Sequence, residues 1–371
     1  MTKPALIVRA ATESDYPAIA ALLDRIFTPI PYEQRLKLWR WRYDANPAKT
    51  DALPPFLVGE QEGTIVGVHG LVPLRVKVKD RILLASCSCD LAVDPKARSA
   101  GMKIKLKAMS AEFSPLHIST SANEPANKIT LALGGKEVGL GRRRLIKPLK
   151  SGGILRRMLG KSQVAGVRAA APFASVVVGK PLDWALAVGR AIRSYPAVPG
   201  AAIEEIGQFD QRFDRFWETM SREAEIIHVR DAAYLNWRFA RYPFAGIESF
   251  ALVRENDILG LAVIHTSTDS DGLRFVAILE LLIPAGENTA FDQLLGEAVN
   301  RAVKAGAHTI TARASTPLWE ERYTRRGFRL RRSPFSGVTY KNNSEFPEDL
   351  FAADANWYVS LGDGDGCYYF D

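Results

Sequence analysis

Cysteine is scarce in this chain, with three residues among 371. Cys87 and Cys89 are two positions apart in a predicted strand, where a disulfide between them would be strained, and Cys367 then has no obvious partner. No cluster of His and Cys residues in the sequence completes the four ligands of a zinc site. We therefore expect neither a disulfide framework nor a bound metal, which excludes the small secreted class of disulfide-rich proteins.

Long hydrophobic runs are also missing. No stretch approaches the ~18 uncharged apolar residues of a membrane span, and the initial sequence MTKPALIVRAATESD has no apolar signal-peptide core before its charges resume. We therefore expect a cytoplasmic protein. Hydrophobic residues make up 47% of the sequence, which indicates a globular chain. Its length favours two domains, because single cores stop growing at about 250–300 residues.

Positive charge is concentrated in one segment of a chain whose formal net charge is +8. The basic residues of this segment, 142–161, are Arg142, Arg143, Arg144, Lys147, Lys150, Arg156, Arg157 and Lys161. Such a segment suits nucleic acid, acidic lipid headgroups or a phosphorylated substrate, and a solvated linker is the commoner role. Short apolar pieces beside it allow a helix that lies on a membrane surface.

The first 139 residues predict a mixed α/β sheet. A short strand is followed by a helix whose apolar face carries Ile19, Leu22, Leu23 and Ile26. Antiparallel strands then lead through ILLASCSCDLAV to Val93, a helix follows from Gly101, HISTSA forms a strand, and EPANKITLAL forms a helix that ends at Gly134. This order combines a meander with crossover connections, as in sheets that contain both parallel and antiparallel strands.

The second half of the sequence repeats the first. The motif Trp41-Arg42-Tyr43 recurs as Trp237-Arg238-Phe239, with a proline at the same spacing behind each motif and a hydrophobic strand after it. The helix that ends at Gly327-Phe328 corresponds to the helix that ends at Gly134-Gly135. We therefore expect a tandem duplication with one shared topology.

We divide the chain into three contiguous ranges on this basis. The N-terminal domain covers residues 1–145 and the C-terminal domain covers residues 203–371. Residues 146–202 are rich in Gly, Pro, Ala and basic side chains and predict a partly helical linker.

A candidate phosphate-binding loop lies between the predicted strand that ends at Val93 and the next helix. Arg98-Ser99-Ala100-Gly101 stands where unpaired backbone N–H groups and the helix dipole hold a pyrophosphate. Gly101 allows the backbone to approach the ligand closely. An R-x-x-G match is weak alone, and the strand-loop-helix context strengthens it.

These residues resemble the acyl-CoA loop of the GNAT superfamily of N-acetyltransferases, whose pattern is Q/R-x-x-G-x-G/A after the fourth strand. Arg98 and Gly101 match this pattern, and Lys103 stands at a position that is usually small. The predicted helix after HISTSA has the spacing of the family pattern N-x-x-A-x-x-x-Y-x-x-x-G-F. Asn123 matches its first position, whereas Thr130 replaces the tyrosine that often protonates the departing thiolate in that family.

In the second half the match is reversed. Tyr323 and Gly327-Phe328 fit the helix pattern, but the equivalent loop LLIPAGENTAFDQLL has no R-x-x-G. The resemblance therefore places the cofactor in the N-terminal half and gives the C-terminal half a supporting or substrate-side role. The runs VRDAAYLNWRF and WYVSLGDGDG are also similar to tandem GNAT proteins of bacterial polysaccharide clusters.

The resemblance implies an enzyme that transfers an acetyl group from acetyl-CoA to an amine, such as an amino sugar or a saccharide precursor. Transfer would occur directly in a ternary complex, without a covalent intermediate. The backbone around Leu91 and Val93 would bind the pantetheine arm and polarise the thioester carbonyl. The residues expected to bind the cofactor are Leu91, Val93, Arg98, Ser99, Ala100, Gly101, Met102, Lys103 and Asn123.

Four side chains are candidates for proton transfer, each with a structural alternative. Asp90 precedes Val93 on the same strand and is our first choice as general base, unless it pairs with a basic neighbour. His69 and His117 could titrate near neutrality or be satisfied groups of the core. Tyr323 could act as the acid or pack before Gly327.

Two other functions remain open on the sequence alone. A Fem-type transferase, which takes an aminoacyl group from tRNA, would use the basic segment for RNA, but the loop at Arg98 fits CoA better, so we do not expect a nucleic acid partner. A non-catalytic acyl-CoA sensor or scaffold would explain Thr130 and Lys103. In each case residues 142–161 could make a peripheral contact at the inner membrane face.

Overall fold

The structure is a computed structural model that describes residues 6–120, 122–139, 143–161, 163, 169–170, 173, 177–192, 195–332 and 337–364. Arg142 and Cys367 lie outside the described residues, and only the backbone of Arg98, Ser99 and Ala100 is described. The chain forms two compact units. Unit 1 comprises Met1–Arg142, Ala224–Phe244 and Ser333–Tyr358, and unit 2 comprises Arg143–Glu223, Ala245–Arg332 and Val359–Asp371.

Strands and helices are numbered in chain order. The strands are β1 (Leu6–Ala10), β2 (Phe56–Gln61), β3 (Thr64–Val78), β4 (Arg81–Val93), β5 (Leu116–Ser119), β6 (Lys136–Val138), β7 (Arg143–Pro148), β8 (Ala201–Glu205), β9 (Ile226–His228), β10 (Ile247–Arg254), β11 (Asp257–Thr268), β12 (Arg274–Leu282), β13 (Thr309–Arg313), β14 (Arg329–Arg332), β15 (Val338–Asn342) and β16 (Trp357–Tyr358). The α-helices are α1 (Tyr16–Ile26), α2 (Tyr32–Trp39), α3 (Met102–Ser110), α4 (Glu124–Ala132), α5 (Gly152–Gly160), α6 (Gly179–Ile192), α7 (Gln211–Met220), α8 (Ala232–Leu235), α9 (Asn288–Lys304), α10 (Pro317–Arg325) and α11 (Glu348–Ala352).

The sheet of unit 1 has the strand order β1-β2-β3-β4-β5-β15-β6, and β9 pairs with both β3 and β16. The meander from β1 to β4 is antiparallel, whereas β5 is parallel to β4 and β16 is parallel to β9. The sheet of unit 2 has the order β14-β7-β13-β12-β11-β10-β8, with β12 and β13 parallel. The predicted α/β class with mixed sheets is confirmed.

The first helix shows how local sequence produces these elements. Thr12 and Asp15 form a capping box, in which the backbone N–H of Thr12 donates to the Asp15 carboxylate at 2.8 Å. Leu22 and Leu23 are buried together with Ile19 on one face of α1, as the helical spacing predicts. Burying this face against the sheet stabilises a helix that would be marginal in isolation.

The two sheets exchange strands. β15, from late in the chain, lies between β5 and β6 in unit 1, and β7, from the middle of the chain, lies between β13 and β14 in unit 2. The division predicted from the sequence was contiguous, at 1–145, 146–202 and 203–371, and the units are not. Residues 143–148 of the junction are a sheet strand, and residues 224–244 and 333–358 belong to unit 1.

The two copies of the Trp-Arg-aromatic motif contact each other within unit 1. Each motif forms a π-helical turn, Arg40–Asp44 and Asn236–Ala240. The indole Nε1 of Trp41 donates to the carbonyl of Trp237 at 2.6 Å, and the indole of Trp237 donates to the carbonyl of Trp41 at 2.7 Å. Their rings are stacked with centroids 5.3 Å apart. These contacts give the repeated motif the structural role that its recurrence favours.

Within the described parts of the chain, we find no helix with the length and apolar character needed to cross a membrane. Across the same residues, no group of three or more His, Cys, Asp and Glu side chains is placed to hold a metal ion.

Candidate functional site

The sheet of unit 1 opens between β4 and β5. Their parallel pairing runs from Ala85 and Leu116 to Cys87 and Ile118, whereas β4 continues to Val93. A bulge interrupts β4 in this stretch, where its pairing with β3 shifts, and Asp90 has a left-handed φ of 50°. Such a conformation is uncommon for residues with a side chain and bends the strand. The parting of the strands therefore begins beside a strained residue.

Asp90 is held by a buried ion pair. Its Oδ2 accepts a hydrogen bond from Nη1 of Arg42 at 2.8 Å, and the two side chains are only 8% and 2% exposed. Next to this pair the Tyr43 hydroxyl lies 3.3 Å from Sγ of Cys89. The alternative that the sequence left open for Asp90, a pair with a basic residue, is what the structure shows.

The candidate phosphate loop lies at the end of β4. Pro95–Ala100 forms a 3-10 turn, Gly101 has a left-handed φ of 73°, and α3 begins at Met102. A Cβ atom on Gly101 would meet no other atom within 4 Å. The start of α3 therefore borders open space at Gly101.

Helix α3 approaches the sheet closely because two strand residues are glycines. A Cβ on Gly59 would lie 2.0 Å from Sδ of Met102, and a Cβ on Gly67 would lie 2.8 Å from Cγ of Met102. The Met102 side chain is fully buried. Of the predicted cofactor residues, Met102 and Val93 therefore have side chains in the core, and only their backbone groups are suited to a ligand, whereas Leu91 and Lys103 are half-buried.

Asn123 is the N-cap of α4. Its Oδ1 accepts a hydrogen bond from the backbone N–H of Ala126 at 3.0 Å, and the residue is exposed. Asn is among the preferred residues at this position. The structure thus places the predicted cofactor ligand in a capping role, which orients the helix that carries Thr130.

The two histidines of the prediction belong to one buried hydrogen-bond chain. His69 Nε2 lies 3.0 Å from the Ser88 hydroxyl, and that hydroxyl lies 2.8 Å from Nε2 of His117. The chain continues from His117 Nδ1 to Ser86 at 2.8 Å and from Ser86 to Ser114 at 2.7 Å. Its last donor, Ser114, bonds to the carbonyl of Leu116 at 2.9 Å.

The final carbonyl fixes the proton directions as far as His117, because a carbonyl oxygen only accepts. Ser114 donates to it and so accepts from Ser86, which in turn accepts from Nδ1–H of His117. When His117 is neutral, as its burial and lowered pKa favour, Ser88 donates to Nε2 of His117 and accepts from Nε2–H of His69. Both rings are buried core groups, as in the alternative that the sequence left open for them.

We expect the stability of the protein to fall in acid because of these histidines. Burial, and then the nearby Lys107, lowers the pKa of His69 well below its usual value and that of His117 to about 3. The unfolded chain protonates both rings below about pH 6.5, so it binds more protons than the folded chain. The unfolding free energy should therefore decrease as the pH falls from about 6.5 towards 3.

Urea unfolding of the wild type and of His117→Gln between pH 7.5 and 5 measures this effect. The variant should lose less stability than the wild type over that interval, although it starts from a lower value because Ser86 and Ser88 lose a partner. Equal slopes in the two proteins would contradict the assignment of a buried neutral His117.

Lys107 is a buried cation that the sequence analysis did not single out. It lies on α3, is 4% exposed, and its Nζ donates to Oγ1 of Thr130 on α4 at 2.7 Å. Burial lowers the pKa of Lys107 to about 8, and the thiol of Cys87 partly opposes this shift. Thr130 stands where the family pattern has a tyrosine, so the hydroxyl there is bonded to a buried amine.

Tyr323 lies in the hydrophobic core of unit 2. Its ring packs edge-on against Phe291 and Phe328, with centroids 5.3 and 5.1 Å away. Burial, and then the charge of Glu280, raises the pKa of Tyr323 far above its usual value. The packing role that the sequence analysis offered for this tyrosine agrees with its position.

The loop of unit 2 that corresponds to the phosphate loop is bound by the chain's own side chains. The backbone N–H of Ala285 donates to the Glu223 carboxylate at 3.1 Å, and the carbonyl of Ala285 accepts from Arg322. A carboxylate thus lies on an N–H group that a phosphate would need.

The strands β12 and β13 of unit 2 also part, and residues 359–363 contact both of them there. Ser360 donates to Glu280 of β12 at 2.6 Å, and Ser315, which follows β13, donates to the carbonyl of Val359 at 2.8 Å. Arg313 donates to the carbonyl of Ser360 at 3.3 Å. The chain itself therefore bridges this opening.

Sequence reasoning missed three components of the site, namely Arg42 as the partner of Asp90, the serines between the histidines, and Lys107. The alternation of Ser86 and Ser88 with cysteines in a buried strand was a signal for a polar network. Lys107 had no such signal, because lysines alternate with apolar residues throughout MKIKLKAM.

Comparison with known proteins agrees with this geometry. Residues 7–114 match the family model described as acetyltransferase (GNAT) domain. No curated protein is significantly similar to the chain in sequence.

Solved structures show the same fold at low sequence identity. A GCN5-related N-acetyltransferase from Anabaena variabilis is 11% identical, with a TM-score of 0.57 over 92% of this chain and 73% of that one. A probable N-acyltransferase from Enterococcus faecalis is 10% identical, with a TM-score of 0.57 over 92% and 73% of the two chains. N-myristoyltransferase from Saccharomyces cerevisiae with bound myristoyl-CoA is 11% identical, with a TM-score of 0.54 over 92% and 81%.

Residues 7–114 match the GNAT acetyltransferase domain, and the chain as a whole has the fold of GNAT-type acyltransferases.

Proposed function

We propose that unit 1 transfers an acyl group from acyl-CoA to an amine, with acetyl-CoA as the donor. The observation that carries this proposal is the parting of β4 and β5 at the Asp90 bulge, next to a helix start that borders open space at Gly101. The match of residues 7–114 to the GNAT domain supports it.

The residues of unit 1 fit a CoA molecule. The backbone N–H groups at the start of α3 and the Lys103 side chain would hold the pyrophosphate, together with Arg98. The backbone of β4 around Leu91 and Val93 would orient the pantetheine arm along the opened strand. When bound, CoA supplies the activated thioester, and the protein contributes position and electrostatics.

Asp90 is our proposal for the group that receives the proton of the acceptor amine. The carboxylate is held in place by Arg42 at 2.8 Å. A carboxylate has about four lone-pair sites, so it can accept more than one hydrogen bond. We propose an amino sugar or a saccharide precursor as the acceptor.

The test of acyl-CoA binding is a thermal shift. Acetyl-CoA at about 100 times its Kd should stabilise the wild type by about 2.7 kcal/mol. Gly101→Val should reduce the shift strongly, because its side chain would enter the space that a phosphate needs. Gly63→Val is the matched control, since Gly63 also has a left-handed φ with no neighbour within 4 Å but lies in the β2–β3 turn.

The outcomes separate the candidate functions. No shift of the wild type at millimolar acetyl-CoA would refute the cofactor proposal. A shift without turnover on a panel of amines that includes amino sugars would favour a sensor.

We also propose that unit 2 contacts anionic membranes through α5 and α6, which adjoin or belong to the basic segment 142–161. Residues 151–192 contain six Lys and Arg residues and one acidic residue, Asp183. Asp183 accepts a hydrogen bond from the Ser151 hydroxyl at 2.7 Å, which ties the starts of the two helices together. Large apolar side chains are exposed on and between these helices, namely Met158, Phe173, Val177, Val178, Leu182 and Trp184.

This combination of basic charge and exposed apolar side chains suits the interface of an anionic bilayer. We expect the protein to float with vesicles of phosphatidylcholine and phosphatidylglycerol at low salt, and much less with phosphatidylcholine alone. Trp184→Ser should weaken flotation, whereas Leu318→Ser, at an exposed leucine elsewhere in unit 2, should not. Equal flotation of both variants, or none by the wild type, would rule out this contact.

A further inference from the structure

Lys107 connects helices α3 and α4. Its Nζ donates to the hydroxyl of Thr130 at 2.7 Å, and that hydroxyl is 3.2 Å from the carbonyl of Ala126. Thr130 therefore donates its hydroxyl proton to Ala126 within α4, and Lys107 is the donor in the contact between α3 and α4. Both residues are buried.

Lys107 lies on α3, the helix that begins at the candidate phosphate loop. It follows Met102 by five residues, which is about 7–8 Å along the axis of α3. Lys107 lowers the pKa of His69 on β3 and of His117 on β5, and Cys87 on β4 raises the pKa of Lys107. Cys87 belongs to the last residue pair before β4 and β5 separate.

A buried lysine in this position needs an explanation. Desolvation of an ammonium group is costly, and a single neutral hydroxyl compensates for only part of it. A leucine or methionine would fill the space between the helices without that cost. The retained amine therefore suggests a task that an apolar side chain would not perform.

We propose that Lys107 is the proton donor for the sulfur that leaves during acyl transfer, in the place of the tyrosine that Thr130 replaces. This inference rests on the proposed function of unit 1. As the amine nitrogen bonds to the acyl carbon, the carbon–sulfur bond breaks and its electron pair moves to sulfur. The sulfur takes a proton from Nζ of Lys107, and the amine gives its own proton to Asp90. Lys107 regains a proton from solvent, and Asp90 loses one to it, after the thiol has left.

The ammonium form has two effects on this step. It stabilises the negative charge that develops on sulfur, and it carries the proton that the thiolate requires. Because burial lowers the pKa of Lys107 to about 8, transfer of its proton to a thiolate is nearly balanced in energy. Thr130 positions the amine and does not itself supply the proton.

Lys107→Met tests the proposal, because methionine is apolar and similar in length. The matched control is Lys105→Met, on the same helix with an exposed side chain. The first readout is the pKa of the CoA thiol in the complex, from the ultraviolet absorbance of the thiolate during a pH titration. A neighbouring ammonium lowers a thiol pKa, so the bound thiol should ionise at lower pH in the wild type and Lys105→Met than in Lys107→Met.

The second readout is catalysis. Lys107→Met should lower kcat by about 100-fold or more, with a much smaller change in KM. Thr130→Val, which removes the partner of the amine and keeps the shape, should shift the thiol pKa in the same direction by a smaller amount. This variant keeps the proposal testable if Lys107→Met does not fold.

The results separate this inference from the proposed function. If the wild type does not bind CoA, the proposed function itself fails. If it binds CoA and acylates an amine, but the thiol titration and kcat are unchanged in Lys107→Met, only the role of Lys107 is refuted.

Discussion

Replacing Arg42 with methionine should destabilise the protein by about 3–5 kcal/mol, because it leaves the Asp90 carboxylate buried without its partner. The two side chains are 2% and 8% exposed and lie 2.8 Å apart, so little solvent is available to take over the lost interaction. The measurement is the unfolding free energy from urea denaturation of the purified variant.

A double-mutant comparison shows whether the loss comes from the unpaired charge. Arg42→Met with Asp90→Leu should be more stable than Arg42→Met alone, since an apolar pair has no uncompensated charge. The control is Lys49→Met, at an ion pair with Asp44 in which the side chains are 53% and 63% exposed. That variant should change stability by less than about 1 kcal/mol. If Arg42→Met also lost less than about 1 kcal/mol of stability, the buried-pair argument would be refuted.

The Arg42–Asp90 pair also affects the candidate site. Asp90 has a left-handed φ, and its carboxylate is bonded to Arg42. Loss of the pair should therefore relax the bulge and reduce acyl transfer in any Arg42→Met that remains folded.

Substitution of Gly67 by valine should weaken acyl-CoA binding, because Gly67 lies on β3 directly against α3. A Cβ there would lie 2.8 Å from Cγ of Met102 and 3.0 Å from Cδ1 of Leu106, so α3 must move or repack. Overpacking of this kind costs about 1–3 kcal/mol of stability. A displaced α3 also moves the N–H groups at its start, so we expect acetyl-CoA affinity to fall by at least tenfold, measured by calorimetry.

A second substitution distinguishes displacement from general damage. Met102→Ala in the Gly67→Val background removes the atoms that the new side chain meets and should restore much of the affinity. Gly207→Val is the control, because a Cβ on Gly207 meets nothing within 4 Å. Full acetyl-CoA affinity in Gly67→Val would show that the height of α3 above the sheet does not matter for binding.

Much of the architecture could be predicted from local patterns in the sequence. The helix α1, the meander from β2 to β4 and the helix after Gly101 all appear where periodicity, turn residues and the glycine signal predicted them. The α/β class and the resemblance to the GNAT superfamily were confirmed. These features depend on neighbouring residues, so the amino-acid order is sufficient to reveal them.

The candidate site could be predicted only in part, because its polar contacts join residues far apart in the sequence. Arg42 lies beside Asp90 across 48 positions, and Lys107 reaches Thr130 across 23. From the sequence alone, the Asp90 carboxylate is a candidate base because its partner is unknown. His69 is likewise a candidate titratable group until the structure shows that it is buried with Ser88 and His117.

The sequence predicted two related halves from the repeated Trp-Arg-aromatic motif. Only the tertiary structure shows that Trp41 and Trp237 bond to each other reciprocally. It also shows that β7 and β15 lie in sheets formed mainly by the other half of the chain. Periodicity shows that a strand is half-buried, but the choice of its neighbours depends on contacts between distant segments, and no local pattern encodes them.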